Sequence, residues 1–428
     1  MSDTTTPAPV QFTEVTGRAI LDSRGYPTVE VRAVLEDGTR LIAAAPAGAS
    51  TGEHEAVELR DHGRAYSGRG VHSAVGAVNG EISALLSGRE WTDLATLDEA
   101  LGELDSTTGY SRLGANAVVA ASIVAARAFA HTAGLELQQW IASQTHSAQR
   151  LPVPHFNVLN GGAHAANALD FQEFMVAPVG AASEEHAVQT GAEVYHALAG
   201  LVRDRFGSAG LGDEGGFAPQ LQDPRMALDL LVEAITTAGY TPGVDQVAIA
   251  LDPAANSFYL GDGRYRVNGL EIGRDDLVGY YLDLIGTYPI RSLEDGFSED
   301  DPDGWTAMAD AAHGRVQLVG DDLYVTDPVR IRDGAEHGYS NAVLIKPNQI
   351  GTVTQTFDAI TIARELGMAC MVSHRSGETA DTFIADLVVG TGVGQIKSGA
   401  PARGERVAKY NRLTEIEADH PDLPYGLA

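Results

Sequence analysis

Six short apolar runs in the C-terminal two thirds of the chain, at 247–252, 290–294, 316–321, 342–346, 368–374 and 394–397, each stop on a polar or charged residue. Runs of this length, rich in Val, Ile and Leu, read as buried strands. Between them lie helix starts and stops. Asp223-Pro224, Asp301-Pro302 and Asp327-Pro328 each set an N-cap Asp before a Pro at the first helical position. Gly207, Gly338 and Gly367 fall where helices should end. Successive strand ends are 42 residues apart from 252 to 294, then 27 to 321, 25 to 346, 28 to 374 and 23 to 397. These are lengths of βα units, the first enlarged by an insertion. A doubly wound sheet shares the pattern, but the number of units favours a (β/α)₈-type barrel.

In a parallel barrel the C-terminal strand ends converge on one mouth. Asp252, Glu294, Asp321, Lys346, His374 and Lys397 are therefore expected to face a single pocket. One carboxylate after a strand reads equally well as a helix cap or a surface group. Three in consecutive units read as a site for a hard divalent cation such as Mg²⁺, which takes oxygen ligands. Lys346 closes an apolar run, so its stem emerges from the core beside those acids. A partly desolvated lysine near cations loses basicity and can serve as a base. From spacing alone, a structural ion pair to one of the carboxylates stays equally open.

The first part of the chain reads as α+β. Val29, Val31, Ala33 and Leu35 alternate along a strand, Asp37-Gly38 marks a hairpin turn, and Leu41-Ile42-Ala43 returns. The Ala- and Val-rich stretch 114–133 is apolar nearly all round and reads as a buried helix. The polar segment around 143–149 precedes Pro152 and Pro154, which sets the domain division at 1–147 and 148–428. Length alone argues for two domains, since 428 residues exceed what one core usually covers.

Composition narrows the partners. The 58 acidic against 29 basic residues, a net charge of −29, disfavour nucleic acid and anionic membrane surfaces. No uninterrupted apolar run approaches the ~18 residues that span a bilayer, and the first residues lack the pattern of a signal peptide. The single cysteine, Cys370, lies in an apolar run and reads as a buried inert thiol, in keeping with a cytoplasmic setting. His54-Glu55 lacks the second histidine of a zinc helix, and the glycines at 390, 392 and 394 follow a helix rather than a strand, so neither carries a site.

Ten motifs resemble those of the enolase family and occur in the same order across nearly the whole chain. They are Leu21-Asp22-Ser23-Arg24-Gly25, Gly48-Ala49-Ser50-Thr51-Gly52, Asn160-Gly161-Gly162-Ala163-His164, Gln172-Glu173-Phe174, Gly212-Asp213-Glu214-Gly215-Gly216, Ser292-Leu293-Glu294-Asp295, Gly320-Asp321-Asp322-Leu323, Asn348-Gln349-Ile350-Gly351, Ser373-His374-Arg375-Ser376-Gly377-Glu378-Thr379 and Gln395-Ile396-Lys397. The resemblance implies an N-terminal α+β domain with a mobile loop, an enolase-type barrel, two Mg²⁺ ions per site and a homodimer or homo-octamer. It implies dehydration of 2-phosphoglycerate, a small anionic phospho-acid, to phosphoenolpyruvate. Asp252, Glu294 and Asp321 match the ligands of the tighter metal, and Ser50 matches the loop residue that joins the second. Lys346 matches the base, and Glu214 the acid, helped by Glu173. His164, Arg375, Ser376 and Lys397 match groups that hold phosphate and carboxylate, with His374 at the same mouth. Glu214 must carry a proton to act, and Glu173 beside it is expected to raise its pKa.

The matched catalytic positions are intact, but neighbours depart from the family pattern. Ala47 stands where Ser is usual, and Tyr26 where Asn is. Pro253 follows Asp252, and Pro347 follows Lys346. His155, Ala165-Ala166-Asn167, Ser257 and Gly404 are also unusual. These changes raise a second reading, a paralogue of the carboxyphosphonoenolpyruvate synthase type in phosphinate antibiotic biosynthesis. Such an enzyme performs the same elimination on a substrate carrying an extra carboxylate. A third reading, a binding or scaffold protein without catalysis, is disfavoured by the intact Lys346, Glu214 and metal carboxylates.

Overall fold

The computed structural model describes residues 8–48, 54–208 and 210–428. The chain opens with β1 (Phe12–Leu21), β2 (Pro27–Leu35) and β3 (Arg40–Ala44), a fully antiparallel sheet in that order. The expected hairpin is present: Gly38 takes φ 85°, and the Thr39 N–H donates to Asp37 Oδ1 at 2.8 Å. Val29, Val31 and Ala33 are buried against the helix Ala115–Thr132, which packs on β2 and β3. That helix is long and apolar enough to cross a bilayer, yet 83% of it is buried inside the protein. It is the core of this domain.

The barrel strands are β4 (Val153–Asn160) and β5 (Glu173–Pro178), then, after a hairpin of β6 (Gly210–Leu211) and β7 (Phe217–Ala218), β8 (Val247–Asp252). An insertion of β9 (Tyr259–Gly261), β10 (Arg264–Val267) and β11 (Leu270–Gly273) forms its own small sheet and accounts for the long first spacing. Then follow β12 (Ile290–Glu294), β13 (Gln317–Gly320), β14 (Ala342–Ile345), β15 (Ala369–Ser373) and β16 (Gln395–Lys397). Strands β4, β5, β8 and β12 to β16 close into a ring of eight through the β16–β4 pairing.

The ring is not uniformly parallel, as the spacing suggested. β5 runs antiparallel to both β4 and β8. No crossover helix separates β4 from β5, so the chain can only return in the opposite direction. The consequence for the site is direct. The N-terminal end of β5 meets the C-terminal ends of the other strands, and Glu173 lies in register with Asp252.

The helices begin where their caps predict. The side chains of Asp223, Asp301 and Asp327 accept from the N–H groups of Arg225, Gly304 and Val329. Pro347 opens the short helix Pro347–Ile350 and leaves Lys346 extended at φ −129° and ψ 104°. The departure at 347 therefore fits the local backbone. The two halves meet beside the mouth, where Ala47 and Gly377 exchange backbone hydrogen bonds of 2.7 and 2.9 Å.

Candidate active site

One cavity at the mouth is lined by His164, Gln172, Glu173, Glu214, Asp252, Asp321, Lys346, Ser373, His374, Arg375, Ser376 and Lys397. Glu294 lies behind it, bonded to Lys397. Eleven of the twelve site residues expected from sequence are thus assembled; Ser50 lies outside the described residues.

Lys397 is the hub of one side. Its ammonium lies 3.0 Å from Asp252 Oδ2, 2.8 Å from Glu294 Oε1 and 3.0 Å from Glu173 Oε2. Burial pulls this lysine towards neutrality, but the three carboxylates hold its pKa well above the usual value. Lys346 donates to Asp321 Oδ2, whose other oxygen accepts from Gln349 Nε2 at 2.9 Å. The loss of basicity belongs to a lysine beside bound cations; among the side chains alone the balance runs the other way. Burial lowers the Lys346 pKa, but Asp321 more than restores it, so the net direction is up.

His374 and Glu214 form the other side. Glu214 sits in the loop between β6 and β7, and its Oε2 accepts from Asn157 Nδ2 at 2.9 Å. Arg406, fully buried, donates to His374 Nδ1 at 2.6 Å and to the Arg375 carbonyl at 2.6 Å. Arginine has no acceptor to offer, so His374 Nδ1 must carry the lone pair and Nε2 the hydrogen. That hydrogen faces Glu214 Oε2 at 3.1 Å. Burial pushes the His374 pKa down to about 4, in keeping with a neutral ring.

The upward shift expected for Glu214 falls instead on Glu173. Burial and then the Glu214 charge push the Glu173 carboxyl well up. Glu214 is just as buried, but His374 and His164 hold it well below the usual carboxylate range. The difference lies in the neighbours: Glu214 accepts from Asn157 and lies against the His374 and His164 rings, whereas Glu173 relies on Lys397. His164 Nδ1 stands between the two acids, 3.6 Å from Glu173 Oε1 and 3.9 Å from Glu214 Oε1.

Arg375 is paired with Glu55 at 2.8 and 3.1 Å and reaches Asn348 Oδ1 at 3.2 Å. Ser376 Oγ accepts from Arg24 Nη1 at 3.2 Å, and Arg24 also donates to the carbonyls of Ala47 and Gly48. The N-terminal part of the chain therefore grips the Arg375–Ser376 end of the pocket. Sequence reasoning assigned no role to Glu55, Asn157, Gln349, Arg24 or Arg406. Gln349 and Arg24 lay inside quoted motifs, but Asn157 and Arg406 carried no local signal.

The donor set suits a hard cation. It is all oxygen, and Glu294 Oε2 is buried without a hydrogen-bond partner. Asp321 also belongs to a tight group with Asp295 and Asp322 whose oxygens lie within 4.8 Å of one another. There Asp295 is already engaged, accepting from the N–H groups of Asp321 and Asp322 at 2.9 Å each. It orients the loop that carries Asp321.

Comparison with known families is consistent along the whole length. A model described as the enolase N-terminal domain matches residues 12–141, and one described as the enolase C-terminal TIM barrel domain matches residues 148–423.

Proposed function

Since the chain belongs to the enolase family, we propose that it is a hydro-lyase that removes water from 2-phosphoglycerate to give phosphoenolpyruvate. The observation that carries this reading is the joint lining of one cavity by Lys346, the Glu173 and Glu214 carboxyls, and Arg375 with Ser376. A base, an acid and a phosphate clamp are the three parts that this elimination needs.

Lys346, as the neutral amine, takes the proton from the carbon next to the substrate carboxylate. The electron pair left behind forms the new carbon–carbon double bond, and the hydroxyl on the neighbouring carbon departs as water with a proton delivered by Glu214. Glu214 first receives that proton from Glu173, whose carboxyl is shifted up, with His164 between the two. Arg375 and Ser376 bind the phosphate, which requires Glu55 to release the guanidinium. Asp252, Glu294 and Asp321 would hold Mg²⁺, whose charge stabilises the second negative charge as it develops on the substrate carboxylate. A cation held by Asp321 would compete with Lys346 for that carboxylate, which Lys346 must release to act as the neutral base.

The test is the ultraviolet absorbance rise of an enol phosphate on mixing protein, Mg²⁺ and 2-phosphoglycerate, with Lys346→Ala alongside. Turnover that vanishes in the variant supports the reading. A folded, Mg²⁺-binding protein that leaves 2-phosphoglycerate untouched refutes it.

A further inference from the structure

The opposite end of the barrel holds a second cavity, of about 470 Å³, formed where β8, β12, β13, β14 and β15 begin. Its walls include Arg291, Arg315, Gln317, Asn341 and Asp245. Arg291 lies where the register between β8 and β12 slips, between Ile290 and Ser292. A residue at such an irregularity is re-aimed relative to the normal alternation.

Arg291 is half-buried, its Nε is shielded from solvent without a partner, and among the described residues it makes no hydrogen bond or ion pair. That is unusual in a chain with twice as many acidic as basic side chains. The nearby acid that acts on it is Asp245, which is exposed and does not reach it as an ion pair. Burial accordingly disfavours the charge on Arg291. A lysine could respond by shedding a proton; arginine cannot.

The neighbouring amides are turned to other partners. Gln317 and Gln395 exchange hydrogen bonds of 3.0 Å, and Asn341 accepts from Leu318 N–H at 2.8 Å and donates to the Val316 carbonyl at 3.3 Å. Arg315 uses Nε and Nη2 on the carbonyls of Ala312 and Ala311, both at 3.1 Å, which leaves Nη1. The cavity thus offers two guanidinium groups with donors to spare, and the one acid that lines it, Asp245, forms no ion pair with Arg291.

We propose that this cavity is a binding site for a small oxyanion, a carboxylate or a phosphate monoester, held by Arg291 and Arg315. A planar guanidinium matches either group with two parallel hydrogen bonds. The volume falls within the range of small-molecule sites. The site lies at the far end of the barrel from Lys346 and Glu214, so its occupant is not the substrate of the elimination.

The test is arginine Nε–H NMR of the full-length, metal-free protein, titrated separately with inorganic phosphate and with malonate. The Arg291 signal is assigned by its loss in Arg291→Gln, or in Arg291→Lys should the first variant not fold. A saturable shift of that signal supports the site, and the anion that produces it identifies the source as phosphate or carboxylate. Arg315→Gln, at an exposed position, should weaken the binding roughly 10- to 100-fold, the factor carried by charge-assisted hydrogen bonds. Turnover of 2-phosphoglycerate should be unchanged in Arg291→Gln. An Arg291 signal that moves with neither anion, or binding that Arg315→Gln leaves intact, overturns the proposal.

Discussion

Asp98 carries a stability cost that changes with pH. It is fully buried on the helix Leu94–Asp105, where its Oδ2 accepts from the Thr354 N–H at 3.0 Å and its Oδ1 has no hydrogen-bond partner. Burial pushes its pKa up from 3.8 to about 6. The folded state therefore holds the proton more tightly than the unfolded chain does, and stability falls as pH rises between those two values. Asparagine at this position keeps the acceptor for Thr354 and removes the charge. One pKa unit corresponds to about 1.4 kcal/mol, so Asp98→Asn should stabilise by roughly 1.5 kcal/mol at pH 5 and roughly 3 kcal/mol at pH 7.5. Urea unfolding of both proteins at the two pH values measures this directly. A gain that is the same at both pH values, or no gain at either, would show that Asp98 is not the buried acid described above.

Three further outcomes follow from the packing and the site. Lys397→Met leaves Glu173, Asp252 and Glu294 facing one another, so the protein should lose about 3–5 kcal/mol in EDTA. Mg²⁺ should recover much of that loss, seen as a wider gap between melting curves with and without metal than in the parent. Gly191→Ala would place a Cβ 2.3 Å from the Phe156 ring, and the forced repacking should cost roughly 1–3 kcal/mol in urea unfolding. Cys370 is buried and its thiol is pushed up to about 12, so an aromatic disulfide reagent should label it only once denaturant is added. Labelling at the native protein's mixing rate would contradict that burial.

The strand ends, their order and the helix caps are properties of neighbouring residues, and they were legible for that reason. An apolar run that stops on Asp252, Glu294 or Lys346 dictates its own local structure, and the βα spacing then forces those ends to one mouth. Direction was less legible. Nothing local to 173–178 says that β5 runs backwards; that follows from how a loop without a helix closes the ring, and it is what sets Glu173 beside Asp252.

The protonation pattern belonged to the tertiary structure entirely. Sequence placed a proton on Glu214 and a weakened base at Lys346, because carboxylates and cations were expected nearby. A pKa, however, depends on which donors point at which oxygen. Arg406, far along the chain, orients the His374 ring against Glu214, while Asp321 takes the Lys346 ammonium. Arg291 makes the same point at the other end of the barrel. In sequence it is one arginine in a strand; only the fold removes its partners and opens a cavity in front of it.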